Sequence, residues 1–217
     1  MREGFNGEFA QVGGTLVTMA KAIREAMRQA SSALLGADQT QAQQVLIRDE
    51  EIDVLHRVLE DRVYDLVGRA QPVAGDLRMV MIALQIAADL DRMGGLAAHV
   101  ARAVLRRHPS PVVVSELVEL FRAMSAVADE LAAKIVVALA ENDAVLAAGL
   151  ERDDDAMDQL HGELFAAMLS KEWPLGVEPA IDGALLGRFY ERYADHAVNV
   201  GRHVVSLSRL RVGASAE

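Results

Sequence analysis

The sequence predicts an all-α fold of six long antiparallel helices, arranged as a tandem repeat of two three-helix bundles. Three observations predict it. The 217 residues are 52% apolar but only 4% aromatic, with five prolines, so the core is drawn from Leu, Ala, Val and Met, the residues of packed helices rather than of strands. Apolar residues recur at spacings of three and four through six long stretches. Finally, two pairs of stretches about a hundred residues apart resemble one another.

Taken in order, the helical stretches cover about residues 5–35, 38–69, 74–107, 112–141, 143–170 and 179–211. The first ends at "LLGAD", where Gly36 is the natural stop, and "QPVAGD" separates the second from the third. "HPSP" at 108–111 breaks the chain at its midpoint, and "EWPLGVEP" at 172–179 precedes the last helix. The break defines two units, residues 1–108 and 109–217. Their likeness is visible in "RDEEIDVLH" (48–56) and "RDDDAMDQLH" (152–161), which share Asp-x-Leu-His, and in "LDRMGGLAAHV" (90–100) and "YERYADHAVNV" (190–200), which align Arg92 with Arg192 and Val100 with Val200. The offsets are 105 and 100 residues, so the halves differ in one loop length.

Formal net charge is −10, and it is uneven: residues 1–108 carry 13 basic and 14 acidic groups, residues 109–217 carry 9 and 18. An acidic balance without a basic face excludes a nucleic-acid footprint and leaves room for cations among the carboxylates. No cysteine is present, which excludes disulfides and thiolate metal sites. The opening "MREGFNGEFAQ" lacks the apolar segment of a signal peptide, and no apolar run reaches the ~20 residues that span a bilayer. A soluble cytoplasmic protein without membrane insertion is expected.

Residues four apart share a helix face, so Asp49 with Asp53, Asp154 with Asp158, and Glu191 with Asp195 are same-face acid pairs. Such pairs cost roughly 0.2–0.5 kcal/mol each on an exposed helix, which calls for something to offset them. If the second and third helices of a half lie side by side, Asp154, Asp158, Glu191 and Asp195 present four carboxylates to one point. That donor set suits magnesium, manganese or iron, or zinc with an added imidazole. The first half offers Asp49, Asp53 and Asp91, but Gly95 stands where Asp195 stands in the second. His56 and His161 follow Asp53 and Asp158 by three residues and are possible additional ligands, whereas His99, His196 and His203 read as partly buried polar residues. Arg92 and Arg192 point about 100° away from Asp91 and Glu191 and should pair elsewhere. Other readings of the acidic run are a helix start near residue 152, favoured by the helix dipole, and a solvated face.

The stretches "QPVAGDLRMVMIALQIAADLDRMGGLAAHVAR" (71–102) and "FYERYADHAVNVGRHV" (189–204) resemble the two signature boxes of the PhoU family, and "FNGEFAQVGGTLVTMAKAIREAMRQASSALLGAD" suits its opening helix. The resemblance spans nearly the whole chain. It implies a tandem of three-helix bundles acting as a cytoplasmic negative regulator of phosphate uptake and phosphate-starvation signalling, a homodimer rather than an enzyme. The partners it implies are the ATPase of the phosphate transporter and the membrane sensor histidine kinase. It also implies metal clusters, of iron, manganese or zinc, on acid-x-x-x-Asp motifs, which here are Asp49/Asp53 with Asp91 and Asp154/Asp158 with Glu191/Asp195. A second reading of the same residues is a ferritin-like di-metal carboxylate oxidase, because Asp53-x-x-His56 and Asp158-x-x-His161 imitate its Glu-x-x-His ligands with a shorter acid. A third is a metal-free helical scaffold.

Overall fold

Short polar side chains and left-handed residues set the helix ends in a computed structural model that describes residues 2–70, 72 and 74–214. Helix α1 spans Arg2–Gly36, α2 Gln39–Ala70, α3 Ala74–Arg107, α4 Val118–Glu141, α5 Ala144–Leu169 and α6 Val177–Ala214. A short 3₁₀ turn, Ser115–Leu117, leads into α4, which therefore begins about six residues later than its apolar pattern suggests. Gly36 ends α1, but the left-handed position falls on Ala37 (φ 51°), not on the glycine. The chain turns there and Asp38 caps α2, its Oδ1 accepting from the amide of Gln41 at 3.0 Å. Asn142 (φ 57°) closes α4 in the same left-handed conformation, a role its short amide side chain suits.

Asp143 caps α5, accepting from the amides of Val145 and Leu146, both at 2.9 Å. The helix then runs unbroken to Leu169. Asp153, Asp154 and Asp155 thus lie well inside it, and the reading of the acidic run as a helix start is corrected: the cap that the sequence needs is supplied ten residues upstream.

Helices α1, α2 and α3 pack on one another, as do α4, α5 and α6, and the halves join through α3 against α6 and α1 against α4. One apolar cluster runs through both, from Phe5 to Leu207. Because α3 packs on α1, α2 and α6, it buries more than one stripe, and its alanines and Gly94 let those neighbours come close. Polar ties cross the seam. Arg24 on α1 holds Asp129 on α4 with two bonds of 2.7 and 2.9 Å, though both side chains are partly exposed and the pair contributes about 1 kcal/mol at most. Deeper in, Tyr190 and Ser31 share a hydrogen bond of 2.7 Å. Arg106 and Arg107 at the end of α3 bond the buried carboxylate of Asp182 near the start of α6 at 3.1 and 2.7 Å.

Along α6 a run of glycines faces its neighbours. A Cβ on Gly201 would lie 2.6 Å from the Ala147 carbonyl oxygen and 2.8 Å from Leu150 Cδ1, one on Gly183 would lie 2.7 Å from Met168 Sδ, and one on Gly187 would overlap Leu164. At Gly201 the obstacle is backbone, so no side chain fits there, whereas at Gly183 and Gly187 the side chains of Met168 and Leu164 would have to move. Gly201→Ala is therefore expected to destabilise the protein by about 1–3 kcal/mol through overpacking. Gly162→Ala, in mid-α5 with no atom within 4 Å of its Cβ position, should stabilise it by about 0.5–1 kcal/mol through helix propensity. Urea unfolding of the two variants checks the opposite signs.

Candidate metal centre

The close approach of α5 to α6 determines what happens to their acids. Asp154 and Asp158 occupy one face of α5, Glu191 and Asp195 one face of α6, and packing turns these faces toward each other. The Asp154 carboxyl shows the result. Its pKa is pushed up to about 6, first by burial and then by the charges of Asp158, Asp195, Glu191 and Asp155. All four expected second-half residues thus act on one point. Asp154, Asp158 and Asp195 border an open groove of about 420 Å³ that also takes in Glu151, His196 and Arg202. Glu191 is partly neutralised by Arg188, whose Nη1 donates to both of its carboxylate oxygens at 2.7 Å.

In the first half the structure likewise gathers Asp49, Asp53 and Asp91. Burial raises the Asp49 pKa, with Asp53 and Asp91 adding to the rise while Arg102, whose Nη2 stands 3.3 Å from Asp49 Oδ2, opposes it. Burial also raises that of Asp91, which His56 draws back down and Asp53 pushes up by charge and by a hydrogen bond. His56 Nδ1 lies 3.8 Å from Asp91 Oδ1, so this histidine reaches the acids as its spacing suggests. At Gly95 no atom lies within 4 Å of a Cβ position. The space for a fourth ligand is open, and nothing replaces it.

The halves differ in what their arginines do. Arg102 comes to Asp49, but its counterpart Arg202 is taken by Glu151 at 2.6 Å and leaves Asp154 without a cation of its own. That difference explains why the second-half cluster carries the larger perturbation. His161 also departs from its counterpart: its ring lies against Gly187 and edge-on to Phe165, 5.0 Å between centroids, and its buried Nε2 has no hydrogen-bond partner. Arg92 and Arg192 make no ion pair with a described residue, contrary to the expectation that they pair elsewhere. Arg192 instead lines the acidic groove, where its charge lies among the carboxylates.

Among the described residues, no three His, Asp or Glu side chains stand in an arrangement that could hold a metal ion as they are placed. The chemistry of the donors nevertheless fits a hard or borderline multivalent cation: four carboxylates on two helices, where burial first and the neighbouring acids second lift Asp154 to about 6.

One cluster had no signal in periodicity. Asp89 on α3 accepts across the seam from His196, whose Nδ1 is 2.9 Å away, and lies 3.4 Å from His203 Nε2; the two imidazoles hold its pKa below the usual carboxylate value. With a repeat offset of 100, Asp89 corresponds to Phe189, which stacks instead on His99 at 5.1 Å. The mismatch between Asp89 and Phe189 is the only trace that the sequence offers.

Residues 16–104 and 121–204 each match the PhoU domain. A curated relative in Mycobacterium tuberculosis, the phosphate-specific transport system accessory protein PhoU homolog 2, is 41% identical over 205 residues, covering 94% of this chain and 96% of the relative. The chain belongs to the PhoU family. PhoU homolog 1 of Mycobacterium leprae is 40% identical over 205 residues, 94% of this chain and 92% of its own length. Crystal structures agree: PhoU from Pseudomonas aeruginosa superposes with a TM-score of 0.82 at 27% identity, covering 94% of this chain and 99% of that one. The six-helix PhoU fold expected from the sequence is thus the one found, and among the described residues no helix is long and apolar enough to cross a membrane.

The raised Asp154 pKa fixes the sign of a pH effect in this PhoU-family chain when it is free of metal. A carboxyl with a folded-state pKa above its ordinary 3.8 binds its proton more tightly when folded. It therefore adds stability below pH ~4, and that stability is lost as pH rises through about 6. Asp154→Asn should remove this fall and stabilise the metal-free protein at neutral pH by on the order of 1 kcal/mol, after screening of a partly exposed site. Urea unfolding at pH 4 and pH 7.5 checks it, and no change in the pH dependence on substitution would contradict it.

Proposed function

We propose that this PhoU-family protein is a cytoplasmic, metal-binding adaptor that restrains high-affinity phosphate uptake and phosphate-starvation signalling when phosphate is ample. The observation that carries the reading is the PhoU domain occurring twice, over residues 16–104 and 121–204, with an acid cluster on the same two helices of each copy. Its curated relatives are named as accessory proteins of the phosphate-specific transport system. In this reading the partners are the transporter ATPase and the phosphate sensor histidine kinase, the protein acts as a homodimer, and it carries out no catalysis of its own.

The ion, whether iron, manganese, zinc or magnesium, would be held in the second half by Asp154, Asp158, Glu191 and Asp195. In the first half it would be held by Asp49, Asp53 and Asp91, with His56 and, in the second half, His161 as additional ligands. A multivalent cation there would neutralise the carboxylates and offer phosphate oxygens a positive centre. With one carboxylate fewer, the first-half site would be the weaker of the two.

Deleting the gene tests the regulatory reading. In phosphate-rich medium the deletion strain should show raised phosphate uptake and phosphatase expression, restored to the repressed level by the wild-type gene and not by one carrying Asp154→Asn with Asp195→Asn. Elemental analysis of untagged protein from the same strains should find the metal content reduced in that double variant. Unaltered uptake and phosphatase in the deletion strain would overturn the regulatory role, and equal metal content would overturn the site.

A further inference from the structure

We propose that the groove between the start of α3 and the end of α6 binds a small organic phosphate of the nucleoside monophosphate kind. The groove has a volume of about 580 Å³, within the range of small-molecule sites, and is formed by Arg78, Met81 and Gln85 from α3 and by His203, Arg209 and Leu210 from α6. It lies at the seam of the two halves, and its charge is out of character for a chain of net charge −10. Three other arginines on the seam are paired: Arg24 with Asp129, and Arg106 and Arg107 with Asp182. Arg78 and Arg209 hydrogen-bond or ion-pair with no described residue, yet both border one concavity.

The other end of the same seam shows what a balanced version looks like. There the start of α6 supplies Glu178 and Asp182, and the end of α3 answers with Arg106 and Arg107. Shifted by the repeat offset of 100, Glu178 becomes Arg78 and Asp182 becomes Ile82. The acids have been exchanged for a cation and an apolar side chain, while Arg209 has been added from the opposite helix. The carboxylate in contact with this groove's His203, Asp89, is already shared between His203 and His196. Two cations therefore face one space with no acidic residue among its described lining, and a bound anion would supply the missing charge.

The shape of the lining narrows the anion. Guanidinium forks match the oxygens of a phosphate, and two of them suit a dianion better than a single carboxylate. Beside them Met81, which is 57% exposed, and Leu210 offer an apolar wall that an inorganic ion would leave uncovered. A phosphate monoester with a flat, largely apolar body satisfies both halves of the lining, the amide of Gln85 adding a polar contact to that body. This site shares none of the proposed metal ligands, so its success or failure is independent of the metal reading.

Isothermal titration of the full-length protein with AMP, adenosine and inorganic phosphate at low salt tests it. AMP should bind at a single site, with adenosine and inorganic phosphate each weaker by about tenfold or more, since each lacks one half of the interaction. Arg78→Gln and Arg209→Gln should each weaken AMP by about tenfold, as expected for a lost charge-assisted bond, while both exposed substitutions leave the thermal unfolding transition in place. Absence of AMP binding, or AMP binding that survives the double substitution, would overturn the site. Inorganic phosphate binding as tightly as AMP would overturn the organic body.

Discussion

The lack of a side chain on α6 at Gly183, Gly187 and Gly201, where it meets α5, is the constraint on which the rest depends. Gly183, Gly187 and Gly201 let the two helices meet closely enough that a Cβ at any of them would collide with Met168, Leu164 or the Ala147 carbonyl. That approach buries the apolar faces of both helices in the common core. It also drives two acid pairs together. Each pair alone is a minor cost on a solvated helix, but opposed across a close helix contact they become a cluster that cannot all ionise at ordinary carboxylate pKa values. The energy comes from packing, and the chemistry of the site is its consequence.

The two halves are built on one plan, and their differences fall where charge is balanced. Asp49 receives Arg102, whereas Arg202 goes to Glu151 and leaves Asp154 to its acidic neighbours. Gly95 leaves a gap where Asp195 completes the other set. At the seam, Asp182 is secured by two arginines, whereas its counterpart Ile82 lies beside an unanswered cation.

Much of this is legible in the sequence for physical reasons. Helix periodicity is imposed by burial, so six long amphipathic stretches announce six helices, and a spacing of four is enough to put Asp154 and Asp158 on one helix face. The convergence of α5 acids on α6 acids is legible because short connections force neighbouring helices to lie antiparallel. What is not legible depends on how helices from different halves meet. Asp89 with His196 and His203, Arg24 with Asp129 and Arg107 with Asp182 join residues 75 to 114 positions apart, and periodicity along one helix carries no information about its partner's rotation. Periodicity places the start of α4 too early because Val112, Val113 and Leu117 are buried by the segment before the helix rather than by the helix itself. His56 and His161 both follow an aspartate by three but are placed differently, because the glycine at 187 gives the second ring space beside α6.

The central claim is that helix packing holds the second-half carboxylates half-buried and in mutual repulsion. Carbon-detected NMR titration of the Asp154 side-chain carboxyl in the metal-free protein measures it most directly. The account predicts a midpoint near 6, falling when Asp158 and Asp195 are replaced by asparagine but staying above the ordinary aspartate value, because burial is the larger cause. A midpoint near 3.8 in the unsubstituted protein, the ordinary value for an aspartate, would contradict it.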